Sequence, residues 1–286
     1  MRTPANVRRI ADPRAGAMTT PPASLVRAPS RSTVVAVGSG KGGVGTSTVA
    51  ALLASTMAEL GHRVLLVDAG QRLGGLHHLL GVEPRAPLGQ LRGGREAQEL
   101  LVPVAERLSL FPASVGTEEL RPTERRLLMR RVVSLYEGYE LVVVDAGSSA
   151  ESLVTACLDG ASRLLAVTAG DRVSLVATYA VVKLLHERAP GVRVDIVANR
   201  VDDDAANKLH EYLNGASVRF LSRTVPYAGS IPDDPDFASA LAAGMGTDEA
   251  ALGSTAAQAV RALGERILAE AVTPPETATN RLLRKV

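Results

Sequence analysis

The chain has 286 residues, of which 46% are hydrophobic and 22% charged, and its formal net charge is +2. This length and composition are sufficient for a globular domain with a substantial core. No apolar run reaches the roughly 20 residues of a transmembrane helix, and no apolar signal segment precedes a cleavage site. A cytoplasmic protein is therefore predicted. With no Trp and a net charge close to zero, the sequence also predicts no binding to specific nucleic acid sequences.

The two ends of the chain differ in composition from its middle. Residues 1–31 are rich in Pro, Arg, Ser and Thr, and they bury too little apolar surface to offset the entropy of ordering, so a disordered tail is predicted. Residues 272–286 contain the linker-like segment "TPPETATN" and then the basic hexapeptide "RLLRKV". One folded domain is therefore expected over residues 32–271.

Five short apolar runs alternate with helical patterns along this middle region. Near-continuous apolar runs of this length are typical of strands that are buried on both faces of a parallel sheet. The runs cover residues 33–37, 63–67, 141–145, 163–167 and 194–199, and helical spacing is found in 47–60, 122–136, 174–188, 204–213 and 253–271. The pattern predicts a doubly wound α/β domain with a mostly parallel sheet and helices on both faces. Ligands of such domains bind beyond the carboxyl ends of the strands.

The glycine-rich segment "VGSGKGGVGTST" follows the first predicted strand. Glycines let successive backbone N–H groups turn toward a phosphate, and the N-terminus of the next helix adds a favourable dipole. Gly40 and Gly45 have the spacing of a phosphate loop, after which Lys and then Ser or Thr are expected. Here Thr46 replaces the lysine, whereas Ser47 keeps the hydroxyl that binds Mg²⁺. The segment predicts a phosphate loop that lacks one cation, with a glycine-rich turn of no phosphate role as the alternative.

Several segments resemble the MinD/ParA superfamily of deviant P-loop ATPases. They are "KGGVG", "HRVLLVDAG", "YELVVVDAGSSA", "VANR" and "GSIPDDPDFASALAAG", which occur in the order of that family. Within the superfamily, "LLGVEP", "SLVATYAVVKLL" and "GSIPDD" look most like flagellar-number regulators of the FlhG/FleN type. The resemblance implies a nucleotide-binding regulator of the number or placement of flagella or another polar machine. Such a regulator acts on a protein partner of a polar or membrane-bound machine.

The resemblance also implies roles for individual residues. Lys41 matches a signature lysine that reaches the partner's nucleotide in an ATP-bound dimer, and Asp68 matches a switch carboxylate; these two form the implied catalytic set. Mg²⁺ is implied at Ser47 and, through water, at Asp145. The implied contacts to ATP or ADP come from Gly40, Lys41, Gly42, Gly43, Val44, Gly45, Thr46, Ser47, Thr48, Asn199, Arg200 and Pro232. The alternative for the residues at strand ends is that they only cap turns.

Three positions depart from the family pattern. Thr46 replaces the loop lysine, Gly70 replaces a second switch carboxylate, and Ser149 replaces a glycine whose N–H senses the γ-phosphate. Phosphoryl transfer depends on positioning and on the stabilisation of developing charge, so ATP hydrolysis is predicted to be very slow or absent and nucleotide binding to be weak. Two alternatives stay open. One is a nucleotide-free scaffold on the same fold, and the other is an active ATPase of cell-division or partition positioning in which Lys41 replaces the missing lysine.

Two further expectations concern association with other molecules. The protein is expected to be mostly monomeric, with an ATP-dependent homodimer as the alternative. In "RLLRKV", Leu282, Leu283 and Val286 would share one helical face, and the resembled family often ends in a helix that enters the membrane surface. Six residues are too few for a stable isolated helix, so a frayed basic tail is the alternative to weak contact with an anionic membrane.

The segment "RPTERRLLMRR" predicts a helix with two different faces. Its spacing is expected to turn Leu127, Leu128 and Val132 inward and the arginines outward. The outward side is interpreted as a solvated face, with a dedicated partner surface as the alternative.

Overall fold

A computed structural model of the protein describes residues 32–70, 75–84, 86–117, 120–243 and 249–272. The predicted tail over residues 1–31 and the predicted linker and hexapeptide over 273–286 lie outside the described residues. Within the described ranges, no helix is both long enough and apolar enough to span a membrane.

The described residues form one eight-stranded sheet. Its strands are β1 (Thr33–Gly38), β2 (Val64–Asp68), β3 (Val102–Ala105), β4 (Leu108–Phe111), β5 (Leu141–Gly147), β6 (Arg163–Thr168), β7 (Arg193–Asn199) and β8 (Tyr227–Ile231). The order across the sheet is β3-β4-β2-β5-β1-β6-β7-β8, and all neighbouring strands are parallel except the antiparallel pair β3 and β4. The five predicted strands are confirmed as β1, β2, β5, β6 and β7.

Helices cover both faces of this sheet. They are α1 (Thr46–Glu59), α2 (Leu76–Leu79), α3 (Pro122–Val133), α4 (Ala150–Leu158), α5 (Arg172–Arg188), α6 (Asp203–Leu221), α7 (Pro235–Ala242), α8 (Glu249–Leu252) and α9 (Thr255–Val272). Three short 3₁₀ turns span Leu88–Gly93, Ala97–Leu100 and Tyr136–Gly138. Side chains of α1, α7 and α9 build the core on one face, and those of α3, α4, α5 and α6 build the core on the other. The predicted doubly wound α/β class is confirmed.

One predicted helix continues further than its sequence pattern indicated. Helix α6 was expected to end at residue 213 and runs to Leu221. Its buried stripe continues from Leu213 to Ser217, which is small and polar and therefore gave no apolar signal. The end of α6 is thus set by packing against the sheet rather than by its own apolar residues.

The charged helix α3 differs from its prediction in two side chains. Leu128 and Val132 are buried as expected, but Leu127 is 64% exposed, so its predicted inward position is wrong. Arg125 turns inward instead and donates hydrogen bonds to two backbone carbonyls that follow β2. Helical neighbours recur at three and four residues, so one buried face runs from Arg125 through Leu128 to Val132, and Leu127 falls beside it.

The register of the central strands brings three strand ends together. Strand β5 lies between β1 and β2. Its residue Asp145 pairs with Asp68 of β2, and its residue Gly147 pairs with Gly38 of β1. The loop that follows β1 therefore faces two carboxylates at one edge of the sheet.

Candidate functional site

The predicted phosphate loop connects the end of β1 to the first turn of α1. Gly43 and Gly45 both have left-handed backbone conformations, with φ of 82° and 91°. Gly45 is the N-cap of α1, and the loop residues 40–45 lead directly into the helix N-terminus at Thr46. The structure therefore places the predicted loop residues where backbone N–H groups and a helix dipole favour an anion.

The side chain that replaces the loop lysine is turned into the protein. Thr46 is only 8% exposed. Its hydroxyl donates to Ser39 Oγ at 2.8 Å, and the Ser39 hydroxyl in turn donates to the carbonyl oxygen of Lys41 at 2.9 Å. Thr46 therefore braces the loop from inside and offers no positive charge to a phosphate.

Lys41 is held by an ion pair within its own chain. Its Nζ lies 3.3 Å from both carboxylate oxygens of Asp171. Asp171 is the N-cap of α5 and also accepts backbone N–H bonds from Val173 and Ser174. Hydrogen bonds from Ser174 and the charge of Lys41 lower the pKa of the Asp171 carboxyl. This carboxylate is therefore charged at neutral pH and pairs with the ammonium group of Lys41.

Ser47, Asp145 and Asp68 form the acidic side of the site. Asp145 is 2% exposed; burial raises its pKa to about 6, the hydrogen bond from Ser47 lowers it, and the charge of Asp68 raises it further. Burial also raises the pKa of Asp68. The backbone N–H of Gly147 donates to Asp145 Oδ1 at 3.0 Å. The predicted metal residues thus lie in contact with each other.

This donor set fits a magnesium ion. Mg²⁺ prefers hydroxyl, carboxylate and water oxygens, and it is bound through one or two carboxylates together with phosphates. Asp68 Oδ2 is buried and makes no hydrogen bond within the described part of the chain. A cation beside Asp145 would neutralise two carboxylates that otherwise repel each other.

A pocket of about 340 Å³ lies beside Gly43 and Gly45 of the predicted phosphate loop. It is lined by polar residues that the sequence singled out and by apolar residues of α1 and α7, among them Thr48, Asn199, Arg200, Pro232, Val49 and Phe237. Asn199 Nδ2 donates to the carbonyl oxygen of Val44 at 2.8 Å, and Arg200 Nη2 donates to that of Gly43 at 3.0 Å. The residues that were expected to read the base therefore also hold the phosphate loop in place. Phe237 was not predicted, because nothing in its local sequence indicates that α7 turns it toward the loop.

Of the positions that depart from the family pattern, Ser149 has a structural role and Gly70 lies beside Asp68. Ser149 is the N-cap of α4, and its hydroxyl accepts a hydrogen bond from the Ser152 backbone N–H at 3.3 Å. At Gly70, a Cβ atom would lie 3.7 Å from Asp68 Oδ1, which is an ordinary contact. The described residues therefore leave room for a side chain at residue 70, and glycine presents only backbone there.

Arg125 is a site neighbour that the sequence reasoning missed. Its Nη2 donates to the carbonyl oxygens of Ala69 at 2.7 Å and Gly70 at 3.1 Å. Burial lowers the pKa of the guanidinium, and the charges of Glu151 and Asp68 raise it. The prediction that the arginines of α3 face solvent is wrong for this residue. The available signal was its spacing of three and seven residues from Leu128 and Val132.

The close contact between the loop and Asn199 gives a prediction with an internal control. A Cβ atom at Gly45 would lie 2.3 Å from Asn199 Nδ2, whereas a Cβ atom at Gly43 would meet no atom of the described residues within 4 Å. Both residues have positive φ, so Gly43→Ala should lower the free energy of unfolding by ~1–2 kcal/mol through backbone strain alone. Gly45→Ala should lower it by ~1–3 kcal/mol more, because Asn199 must move. Denaturant unfolding without nucleotide measures both, and equal losses would contradict the contact.

Comparisons with known proteins show the family and the fold of the chain. Residues 35–247 match the CobQ/CobB/MinD/ParA nucleotide binding domain. The chain is 29% identical to the antiactivator FleN of Pseudomonas aeruginosa over 82% of its own length and 85% of FleN. It is 29% identical to the flagellum site-determining protein YlxH of Helicobacter pylori over 52% of each chain. Its fold is similar to the septum site-determining protein MinD of Pyrococcus horikoshii complexed with Mg-ADP, with a TM-score of 0.68, 23% identity, and coverage of 82% and 96% of the two chains.

Proposed function

The chain belongs to the CobQ/CobB/MinD/ParA nucleotide binding domain family, and on this premise we propose that it is a nucleotide-binding spatial regulator. It sets the number or the site of flagella or of another polar machine by acting on a protein partner. The observation that carries the proposal is the meeting of Ser47, Asp68 and Asp145 beside a phosphate loop. Relatives named as site-determining proteins for the flagellum and the septum support the spatial role.

In this proposal three groups of residues bind the phosphates, the Mg²⁺ ion and the base of the nucleotide. Backbone N–H groups of residues 40–45 and the N-terminus of α1 hold the phosphates. Ser47 and Asp145 hold Mg²⁺, which supplies positive charge to the phosphates when it is bound. The pocket beside Asn199 and Pro232 receives the base. ATP or ADP is bound weakly, because the Thr46 hydroxyl donates its hydrogen bond to Ser39 and the side chain brings no positive charge to the phosphates.

We assign the protein very slow or absent ATP hydrolysis. Thr46 and Gly70 contribute neither a cation nor a water-orienting carboxylate. Lys41, the remaining cation of the loop, is paired with Asp171. The bound nucleotide then acts as a signal that ends when the nucleotide dissociates, not when it is hydrolysed.

The same ion pair bears on the oligomeric state. Lys41 must leave Asp171 before it can reach a nucleotide in a second copy, and Ser149 stands where the γ-phosphate is sensed. We therefore expect the protein to remain mostly monomeric with ATP at micromolar concentration, as measured by light scattering. Asp171→Asn keeps an oxygen acceptor at the N-cap of α5 and removes the charge, so it shows whether the ion pair is the restraint. ATP-dependent dimers of the wild-type protein would contradict the expectation.

A cellular experiment tests the spatial role. A fluorescent fusion of the protein is followed together with the number and position of the polar machine in the organism that carries it. Asp145→Asn should change that number or disperse the fusion, because it removes a carboxylate from the metal position. Asp204→Asn is the matched control, since Asp204 is an exposed carboxylate in the first turn of α6. An unchanged number and position in Asp145→Asn would overturn the proposed function.

A further inference from the structure

A groove of about 440 Å³ lies between α3, α4 and α5. These helices cover the face of the sheet opposite to α1. The groove combines three guanidinium groups (Arg126, Arg130 and Arg188) and two carboxyl groups (Glu151 and Asp159) with the apolar side chains of Val154, Leu158 and Leu184. Leu158 is 66% exposed, and Leu127, which neighbours Arg126 on α3, is 64% exposed. Guanidinium groups thus outnumber carboxyl groups in the groove by three to two, and uncovered leucine side chains lie in the same place.

The fold uses some arginines of α3 and leaves others with free donors. Arg125 and Arg131 donate to backbone carbonyls of neighbouring segments. Arg126 and Arg130 are one helical turn apart, and within the described part of the chain they and Arg188 make no hydrogen bond or ion pair. Arg130 and Arg126 act on Asp159 only from a distance, lowering a pKa that burial raises. Because these guanidinium groups make no hydrogen bond within the described part of the chain, their N–H donors can bind the carboxylates of a ligand.

Two walls of the groove are connected to the segments that follow β2 and β5 at the candidate nucleotide site. Its wall includes Ala150 and Glu151 of the first turn of α4, directly after Ser149. On the other wall, Arg126 follows Arg125, whose guanidinium holds the backbone after β2. A ligand between α3 and α4 therefore contacts the two helices that are anchored beside Asp68 and Asp145.

We propose that this groove docks an acidic, amphipathic segment of a partner protein. Its carboxylates pair with Arg126, Arg130 and Arg188, whose planar guanidinium groups match carboxylates in a bidentate manner. Its apolar side chains cover Leu127 and Leu158. A concave, half-apolar groove suits such a segment better than a flat lipid surface, and the described residues that line it include no aromatic ring on which a nucleic acid base could stack.

Fluorescence anisotropy of the full chain with designed peptides tests the proposal. The probe is a labelled peptide of about 14 residues of Glu, Leu and Ala, with the leucines at helical spacing. The charge control is the same peptide with Gln in place of Glu. The double variant Arg126→Glu/Arg130→Glu should weaken binding of the acidic peptide by about tenfold or more, because it reverses two charges of the groove. Leu158→Ser should weaken it by about threefold to tenfold through lost apolar contact.

A matched double variant separates the groove from overall charge. Arg107→Glu/Lys208→Glu makes the same charge change at two exposed positions outside the groove and should alter affinity by less than about twofold. Equal loss in both double variants, equal binding of the Gln peptide, or no binding by the wild type would overturn the proposal. Phosphatidylglycerol vesicles form a second arm. Vesicle binding that depends on Arg126 and Arg130 would assign the groove to a lipid surface and overturn it as well.

The docking proposal rests on the proposed function in one respect: the groove is the surface through which the regulator would bind its partner. The peptide titrations contain no nucleotide, so a failure of ATP to bind leaves their result unaffected. The two proposals therefore fail independently.

Discussion

Steady-state ATP hydrolysis by the purified protein should stay near background, several powers of ten below that of a relative with a complete set of charges. The reason is that three positions lack groups that the resemblance to MinD/ParA ATPases implies for one reaction. Thr46 binds Ser39 instead of a phosphate, and Gly70 presents only backbone beside Asp68. Ser149 serves as the N-cap of α4, where the resemblance implies a glycine that senses the γ-phosphate. Positioning and charge stabilisation are thus reduced together.

A phosphate-release assay at increasing protein concentration measures this rate. Lys41→Ala is the control, because Lys41 is the residue that would act if the protein were an ATPase. The expected result is the same background for both proteins. Turnover on the order of once per minute, although far below the typical enzyme rate of about 10 per second, would contradict the prediction if it disappeared in Lys41→Ala.

Thr46→Lys should tighten the binding of Mg²⁺–ATP by about tenfold to hundredfold. A lysine at this position restores a charge-assisted hydrogen bond of ~1.5–3 kcal/mol to the phosphates. The neutral bond between Thr46 and Ser39 that is lost contributes only ~0.5–1.5 kcal/mol. The geometry permits the gain because residue 46 is the first residue of α1, directly after Gly45.

Thr46→Met is the matched control for the restored lysine. Methionine has a side chain of similar reach without a charge, and it also removes the bond to Ser39. Its nucleotide affinity should not rise, whereas that of Thr46→Lys should. An equal gain in both variants would assign the effect to the lost Ser39 bond, and no gain in the lysine variant would show that the loop is not shaped for phosphate.

The central strands could be predicted because burial on both faces leaves a direct trace in the sequence. Residues of β2 and β5 are apolar almost without interruption, and the polar residues Asp68 and Asp145 stand out near their ends. The edge strands lack this trace. Strand β3 contains Pro103 and is only partly buried, and β8 contains Gly229 and Ser230. Their pairing is fixed by the neighbouring strand rather than by their own pattern.

The residues of the candidate site were predictable one by one, but their contacts were not. Lys41 and Asp171 are 130 positions apart, and Asn199 and Val44 are 155 apart. Such pairs form when the ends of separate strands meet in the fold. The spacing of residues within one segment therefore cannot predict them. Arg125 shows the same limit, because a charged residue on an amphipathic helix is expected outside unless its backbone partners are known.

Titration of labelled ATP and ADP against the wild-type protein, with and without Mg²⁺, tests the central claim most directly. The claim is that a phosphate loop without its lysine still holds a nucleotide through its backbone, Ser47 and Asp145. It predicts saturable but weak binding of both nucleotides, which weakens further when Mg²⁺ is removed and in Asp145→Asn. Absence of binding with and without Mg²⁺ would contradict the claim and favour a nucleotide-free scaffold on the same fold.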